Sequence, residues 1–129
     1  MIDHMGFPVS DIAASRAFYD AALAPLGLTA LATIPPEQNP SGGTAIGYGR
    51  DGDPFFWIGD NERVGEGIHV AFRVESRAMV DAFHAAALAA GGTDRGGPGL
   101  REHYGPNYYA AFVLDPDGAN IEAVSHVPE

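Results

Sequence analysis

Apolar and polar residues alternate over residues 2–9 with the two-residue period of a β-strand. The bulky apolar side chains share one face, and His4 shares the other face with small residues. Apolar positions then recur at helical spacing up to about residue 23, and Ser10 or Ser15 can cap the start of that helix. The pattern therefore predicts a strand followed by a helix that covers its apolar face.

Three short apolar segments bounded by turn-forming residues are predicted as further strands: residues 28–34, 44–49 and 54–59. The pair Asp51 and Gly52 is a strong hairpin signal between the last two of these strands. Residues 60–67 are polar and contain glycine, so they form the best linker in the chain. Residues 1–60 are thus predicted to fold as one βαβββ unit.

The second half of the chain repeats the first half at a constant offset of 65 positions. The matched pairs other than alanine are His4/His69, Phe7/Phe72, Val9/Val74, Phe18/Phe83, Leu23/Leu88 and Gly27/Gly92. Internal similarity of this kind indicates two copies of one supersecondary unit. Residues 68–126 are therefore predicted to be a second βαβββ unit that opens, like the first, with a histidine on a strand.

The second unit follows the order of the first. A strand is predicted at 68–74, and a helix at 77–90 follows an N-cap at Ser76. Residues 92–106 are rich in Gly and Pro and are interpreted as a functional or mobile loop, with only a weak strand signal near 99–102. A closing hairpin is predicted with strands at 107–114 and 119–124 and a four-residue turn between them.

The composition of the chain excludes several classes of function. The chain has 129 residues, with seven basic and 17 acidic ones and a formal net charge of −10. This balance argues against a nucleic-acid partner, which needs clustered Lys and Arg. The absence of cysteine excludes disulfides and thiolate catalysis, and no apolar run is long enough to cross a bilayer. We expect a single domain over residues 1–129, in the cytoplasm, with no membrane partner.

The candidate chemistry lies in two histidines and one carboxylate. His4 and His69 occupy equivalent positions on matching strands, and Glu122 lies in an otherwise apolar strand, where a carboxylate is costly to bury without a cation or a partner. With a four-residue turn, Ala111 faces Glu122 across the hairpin. Two imidazoles and a carboxylate suit a divalent first-row metal. The counterpart of Glu122 in the first unit is Trp57 without a gap.

If the two units are aligned on the Asp-Gly turn instead, the counterpart of Glu122 is Phe56. Neither Phe56 nor Trp57 is a metal ligand, so three protein ligands are predicted, which leaves positions for water or substrate. We expect both aromatic side chains to form an apolar wall, either of the substrate site or of the core beneath it.

The two units resemble the vicinal oxygen chelate superfamily, which includes glyoxalase I, extradiol dioxygenases, fosfomycin-resistance enzymes and bleomycin-resistance proteins. Four segments carry the resemblance: His4, residues 15–19 (SRAFY), residues 68–72 (IHVAF) and residues 115–122 (DPDGANIE). It implies a cupped mixed sheet of α+β class, with metal ligands on the first, fifth and eighth strands. Those ligands correspond here to His4, His69 and Glu122.

The resemblance also implies what the site does. It suggests a divalent metal (Fe, Mn, Ni or Zn) that chelates two adjacent oxygens of a small-molecule substrate, in a glyoxalase-like lyase or isomerase or in an extradiol-type dioxygenase. Glyoxalase I adds a fourth-strand glutamate, and Phe56 or Trp57 stands there instead. Members of the superfamily often form dimers, so a homodimer is expected, and a site shared between subunits is one possible arrangement.

Three further residues are candidates for the substrate site. His103 and Tyr104 lie in the long loop, where His103 could act as acid or base and Tyr104 could contact the substrate. Tyr109 could donate a hydrogen bond to the substrate, or it could pack with its hydroxyl at the rim of the site. The alternative function is a metal-free protein that binds a drug or metabolite, as bleomycin-resistance proteins do.

Overall fold

The computed structural model describes residues 1–129 as two successive βαβββ units. The first unit contains β1 Met5–Pro8, α1 Ile12–Leu23, β2 Thr29–Ile34, β3 Ala45–Arg50 and β4 Asp53–Gly59. The second unit contains β5 His69–Val74, α2 Arg77–Ala89, β6 Thr93–Leu100, β7 Tyr109–Leu114 and β8 Asn120–Ser125. The predicted α+β fold of two such units is confirmed.

Each unit builds its own four-stranded mixed sheet. The first sheet has the strand order β1-β4-β3-β2, and the second sheet has the equivalent order β5-β8-β7-β6. The first strand of each unit runs parallel to the last, and the other neighbours are antiparallel. Gly6 lies opposite Trp57 in the first sheet, and Ala71 lies opposite Glu122 in the second. Trp57 is therefore the structural counterpart of Glu122, as the ungapped repeat predicts.

The strand β5 shows why one face of each sheet is buried and the other is open. Val70, Phe72 and Val74 are buried, whereas His69 and the other alternate residues are exposed. A strand places successive side chains on opposite faces, so this alternation turns one face to the core. We call the face that bears His69, and its equivalent in the first unit, the open face.

A single apolar core connects the two units. Its 23 buried residues come from both sheets and both helices. The rings of Phe56 and Phe72, one from each sheet, meet edge to face with centroids 5.2 Å apart, and α1 packs against α2. Neither helix combines the length and apolarity that a bilayer crossing requires.

The helix caps agree with prediction in one unit only. Ser76 caps α2 by accepting a hydrogen bond from the Met79 amide, as predicted. Asp11 caps α1 by accepting from the Ala14 amide at 3.0 Å, so the predicted caps Ser10 and Ser15 are wrong. A carboxylate at the N-cap also interacts favourably with the positive end of the helix dipole.

Two strands, β1 and β6, differ from their predictions by more than two residues at one end. The strand β1 begins at Met5 rather than at residue 2, so His4 precedes it and is exposed. Residues predicted as a loop form β6, which pairs with β7 through two irregular steps near Gly96. Because β6 is an edge strand with a largely exposed, glycine-rich sequence, it carries no apolar alternation for a sequence pattern to detect.

Candidate functional site

Glu122 lies on the open face of the second sheet, and its neighbour on the adjacent strand β7 is not the predicted residue. It pairs with Phe112 of β7, so the predicted pairing with Ala111 is wrong by one position. The loop between β7 and β8 contains five residues rather than four, because the Asp115 carboxylate accepts hydrogen bonds from the amides of Asp117 and Ala119. This extra residue brings Phe112 and Tyr108 to the side of Glu122.

The Glu122 carboxylate is buried, with 2% of its side chain exposed. Its Oε1 accepts a hydrogen bond from the Tyr108 hydroxyl, and its Oε2 lies 3.1 Å from Nε2 of His69. Burial, followed by the hydrogen bond to Glu122, raises the pKa of Tyr108 to about 12. Tyr108 therefore stays protonated at neutral pH and acts as a fixed donor to the carboxylate.

His69 is oriented by its other ring nitrogen. Nδ1 lies 2.9 Å from the backbone carbonyl of Asn120, and a carbonyl only accepts, so Nδ1 carries a proton and donates it. In a neutral ring, Nε2 then directs a lone pair at the Glu122 carboxylate. Two lone pairs that face each other across 3.1 Å repel unless a proton or a metal ion lies between them.

The pair fits part of a divalent metal site. A histidine that donates Nδ1–H to a backbone carbonyl and leaves Nε2 free is the usual arrangement for a metal ligand. A spacing of 3.1 Å suits two neighbouring ligands of one ion, because metal–nitrogen and metal–oxygen bonds are each ~2.1 Å. Within one chain, however, no three His, Asp or Glu side chains come together in a group that could hold a metal ion.

His4 lies apart from this pair. Its side chain is 61% exposed and contacts Asp3 at 2.6 Å. It lines a cavity of about 310 Å³ together with Phe55 and residues of β5, and neither His69 nor Glu122 lines that cavity. The structure brings two of the three predicted ligands together and leaves the third at the other unit.

Tyr109 faces away from Glu122. Its hydroxyl donates to Asp81 of α2 at 2.7 Å, and the guanidinium carbon of Arg77 lies 5.1 Å from its ring centroid. The hydrogen bond to Asp81 raises the pKa of Tyr109. The tyrosine beside Glu122 is Tyr108, which sequence reasoning missed, although Asp115 at the start of the turn is the kind of residue that lengthens such a loop.

His103 and Tyr104 lie at the rim of the same face. Their ring centroids are 4.1 Å apart, and Tyr104 also packs edge to face on Tyr108 at 5.2 Å. Tyr104 lines a cavity of about 360 Å³ with the site residues His69, Tyr108, Phe112 and Glu122. The predicted contact residue therefore borders the ligand pair.

The two aromatic residues predicted as a wall occupy different faces of the first sheet. Trp57 lies on the open face and lines a cavity of about 220 Å³ with Gly6 and Pro8. A Cβ at Gly47 would come within 2.8 Å of the Trp57 ring, so that glycine makes room for the indole. Phe56 is 1% exposed and belongs to the core.

Comparison with known proteins agrees with this architecture. Residues 1–123 match the family model of the Glyoxalase/Bleomycin resistance protein/Dioxygenase superfamily. A glyoxalase/bleomycin resistance protein from Albidiferax ferrireducens T118 is 31% identical, with 98% of each chain covered and a TM-score of 0.73. No curated protein matches.

More distant structures share the fold. A glyoxalase I mutant from Zea mays is 25% identical over 95% of this chain and 46% of its own, with a TM-score of 0.70. A domain from Frankia sp. EAN1pec is 17% identical, with 97% and 96% of the two chains covered and a TM-score of 0.73, which shows likeness of fold alone. The family match and the Albidiferax relative cover almost the whole chain, and the chain therefore belongs to the Glyoxalase/Bleomycin resistance protein/Dioxygenase superfamily.

Proposed function

We propose that this protein is a divalent-metal-dependent enzyme that acts on a small molecule with two adjacent oxygen atoms. The observation that carries the proposal is the His69–Glu122 pair. One member is a buried carboxylate, and the other is an imidazole whose free nitrogen faces it at 3.1 Å. Nitrogen and oxygen donors of this kind suit Fe, Mn, Ni or Zn, the metals expected from the sequence.

When bound, the metal supplies Lewis-acid polarisation of substrate oxygens. The chain's own residues hold and orient the site. The Asn120 carbonyl fixes the ring of His69, and the Tyr108 hydroxyl fixes the carboxylate of Glu122. His103, at the rim, is the candidate general acid or base, because an imidazole can both donate and accept a proton. Tyr108 takes the place proposed for Tyr109, whose hydroxyl is engaged with Asp81 on the other face.

We propose that the third ligand, His4, comes from a second copy of the chain in a homodimer. Within one chain no group of three ligands forms, and the side chain of His4 is exposed. The open faces of both sheets, with Trp57 on one and His69 on the other, are accessible to a partner. In a two-fold dimer, the open face of the first unit of each chain lies against the open face of the second unit of its partner. This contact occurs twice, so the dimer has two equivalent sites.

Two reaction classes use such a site, and they are separated by assay. A glyoxalase-like lyase or isomerase removes a hemithioacetal without consuming dioxygen. An extradiol-type dioxygenase consumes one dioxygen for each catechol that it cleaves. Parallel measurement of dioxygen uptake and of hemithioacetal loss therefore assigns the class. The cytoplasmic location stays a prediction from the sequence.

A metal-free binding protein is the second candidate. It is favoured by one observation: Glu122 already has partners in Tyr108 and His69, so the pair can be satisfied by a shared proton. In that case the open face binds a drug or metabolite without chemistry.

Elemental analysis of the untagged native protein tests the proposal. We expect about one equivalent of metal per chain after supplementation with Mn, Fe, Ni or Zn, and loss of that metal in Glu122→Gln, which keeps the shape of the side chain but removes its charge. Asp81→Asn is the matched control, because it removes a carboxylate of α2, which covers the opposite face of the second sheet. The metal site is rejected, and the binding protein is favoured, if the native protein contains no more metal than the buffer background. The same conclusion follows if Glu122→Gln and Asp81→Asn retain equal amounts of metal.

A further inference from the structure

Two arginines beside the His69–Glu122 pair lack carboxylate partners. The chain has seven basic and 17 acidic residues, yet Arg16 is the one arginine within 4.0 Å of a carboxylate oxygen, at 3.5 Å from Asp20. Arg95 and Arg101 therefore keep an uncompensated charge although carboxylates are abundant. An unpaired guanidinium next to a candidate active site can bind an anion.

Arg101 is held in place by the backbone of β6. Its Nη1 donates to the Gly99 carbonyl and its Nη2 to the Gly97 carbonyl, each at 2.8 Å. A Cβ at Gly96 or Gly99 would come within 3.1 Å of the guanidinium nitrogens, so the glycines of this strand leave the space that the group fills. A guanidinium has five N–H donors, and the rest of them remain available for a ligand.

This fixed position lowers the entropic cost of binding. The guanidinium carbon of Arg101 lies 5.5 Å from the ring centroid of Phe112. Stacking on an aromatic ring and hydrogen bonds to carbonyls restrict the side chain before any ligand arrives. Arg101 is therefore preorganised, in contrast to a mobile surface arginine.

The surrounding cavity contains complementary groups. It has a volume of about 240 Å³ and is lined by Arg95, Arg101, His103, Tyr104, Phe112 and Asn120. The side-chain oxygen of Asn120 is buried and accepts no hydrogen bond. A buried acceptor without a donor is costly, and a ligand hydroxyl or N–H can satisfy it.

The cavity adjoins the one that contains the ligand pair. Tyr104 and Phe112 also line the cavity that contains His69 and Glu122. The Phe112 ring lies roughly parallel to the His69 ring, with centroids 6.3 Å apart. One molecule can therefore contact Arg101 with one end and His69 with the other.

We propose that Arg95 and Arg101 form an anion subsite that receives the carboxylate of a small organic acid, whose oxygen-bearing end reaches His69 and Glu122. The planar fork of Arg101 matches the two oxygens of a carboxylate. Only the second half of this statement rests on the proposed function; the anion subsite itself needs no metal. Arg95 and Arg101 thus determine which substrates the open face accepts.

Phenylacetate is a suitable probe, and phenylacetamide is its uncharged counterpart of the same shape. Each is titrated into the metal-free chain of 129 residues, and binding is followed by the amide resonances of Arg101, His103 and Asn120. We expect saturable shifts with phenylacetate and none with phenylacetamide. Arg101→Gln is expected to weaken binding about 10- to 100-fold, the range for loss of one charged hydrogen-bond donor, and Arg101→Lys to have an intermediate effect.

Arg63→Gln is the matched control, because it changes the net charge equally at a residue that lines neither cavity. Arg95→Gln is the second variant, since Arg95 does not hold the backbone, and it too is expected to weaken binding. Glu122→Gln is expected to keep phenylacetate binding even if the metal proposal fails. Equal binding of the two probes, or equal effects of Arg101→Gln and Arg63→Gln, overturns the anion subsite.

Discussion

At the scale of single residues, the adjacent tyrosines Tyr108 and Tyr109 point to opposite faces of the second sheet, and only Tyr108 belongs to the candidate site. Tyr108 donates to Glu122 on the open face, whereas Tyr109 donates to Asp81 of α2. The difference arises because successive residues of an extended segment face opposite sides, and Tyr108 directly precedes Tyr109, the first residue of β7. A one-residue error in register therefore exchanges their roles, which is what happened in the prediction from the sequence.

Tyr108→Phe is expected to weaken metal binding about 10- to 100-fold without unfolding the protein, since Tyr108 orients a ligand rather than being one. Calorimetric titration with Zn²⁺ measures this affinity. Tyr109→Phe is the matched control and should leave the affinity unchanged. If both variants bind Zn²⁺ as the native chain does, Tyr108 has no part in orienting Glu122.

Two buried tyrosines, Tyr19 and Tyr48, make the stability of the fold decrease at alkaline pH. Burial, followed by the carboxylate of Asp115, raises the pKa of Tyr19, and burial, followed by the hydrogen bond to Asp20, raises the pKa of Tyr48. A raised pKa in the folded state means that the stability from each protonated phenol is fully present below the ordinary pKa of 10.0. It declines as the pH rises from there towards the higher folded pKa.

Ultraviolet difference titration should therefore show four of the five tyrosines titrating above the ordinary pKa of 10.0. Among these four, Tyr19 and Tyr48 should stay un-ionised for as long as the chain stays folded and should ionise together with alkaline unfolding. Tyr48→Phe should reduce the number of tyrosines that ionise only on unfolding from two to one. Ionisation of all five near their ordinary pKa, with the fold intact, would contradict the buried environment of Tyr19 and Tyr48.

At the scale of elements, the junction between α2 and β6 depends on a close approach at Gly92. A Cβ there would lie 2.4 Å from a methyl carbon of Val113 and 2.7 Å from the ring of Phe18. The match of Gly92 with Gly27 in the repeat is not explained by backbone angle, because Gly27 has a positive φ of 76° and Gly92 does not. The requirement at Gly92 is for space.

Gly92→Ala is expected to lower the free energy of unfolding by about 1–3 kcal/mol, the usual cost of overpacking a filled core. Gly97→Ala, in the adjoining edge strand β6, is the matched control, since a Cβ at Gly97 has no atom within 4 Å. Chemical denaturation of both variants measures the difference. Equal stability of the two would mean that the junction relaxes without cost.

The elements that could be predicted from the sequence are those with one buried face. β5 alternates clearly because Val70 and Phe72 enter the core while His69 faces out. The edge strand β6 carries no such signal, and its backbone hydrogen bonds to β7 leave no trace in the pattern of side chains. The hairpin register depended on where the Asp115 carboxylate places its hydrogen bonds, which spacing alone does not determine.

At the scale of the whole molecule, the two units are joined at more than one place. The Tyr19 hydroxyl of α1 donates to the Asp115 carboxylate of the second unit at 2.6 Å, and the shared core lies between the two sheets. These contacts fix the units with His69 and Glu122 on one open face and with His4 at the other unit. The repeat correctly identified equivalent positions, but equivalence in a duplicated fold does not by itself bring side chains into contact.

We propose that one cation is bound by His4 of one chain and by His69 and Glu122 of another. The most direct test mixes His4→Ala chains with Glu122→Gln chains by joint unfolding and refolding, and measures bound Zn²⁺. Each variant alone should bind none at this site. The mixture should regain about a quarter of the native capacity, because half of randomly formed dimers are hybrids and each hybrid has one intact site. If the mixture binds no more Zn²⁺ than the separate variants, His4 of one chain does not share a cation with Glu122 of another.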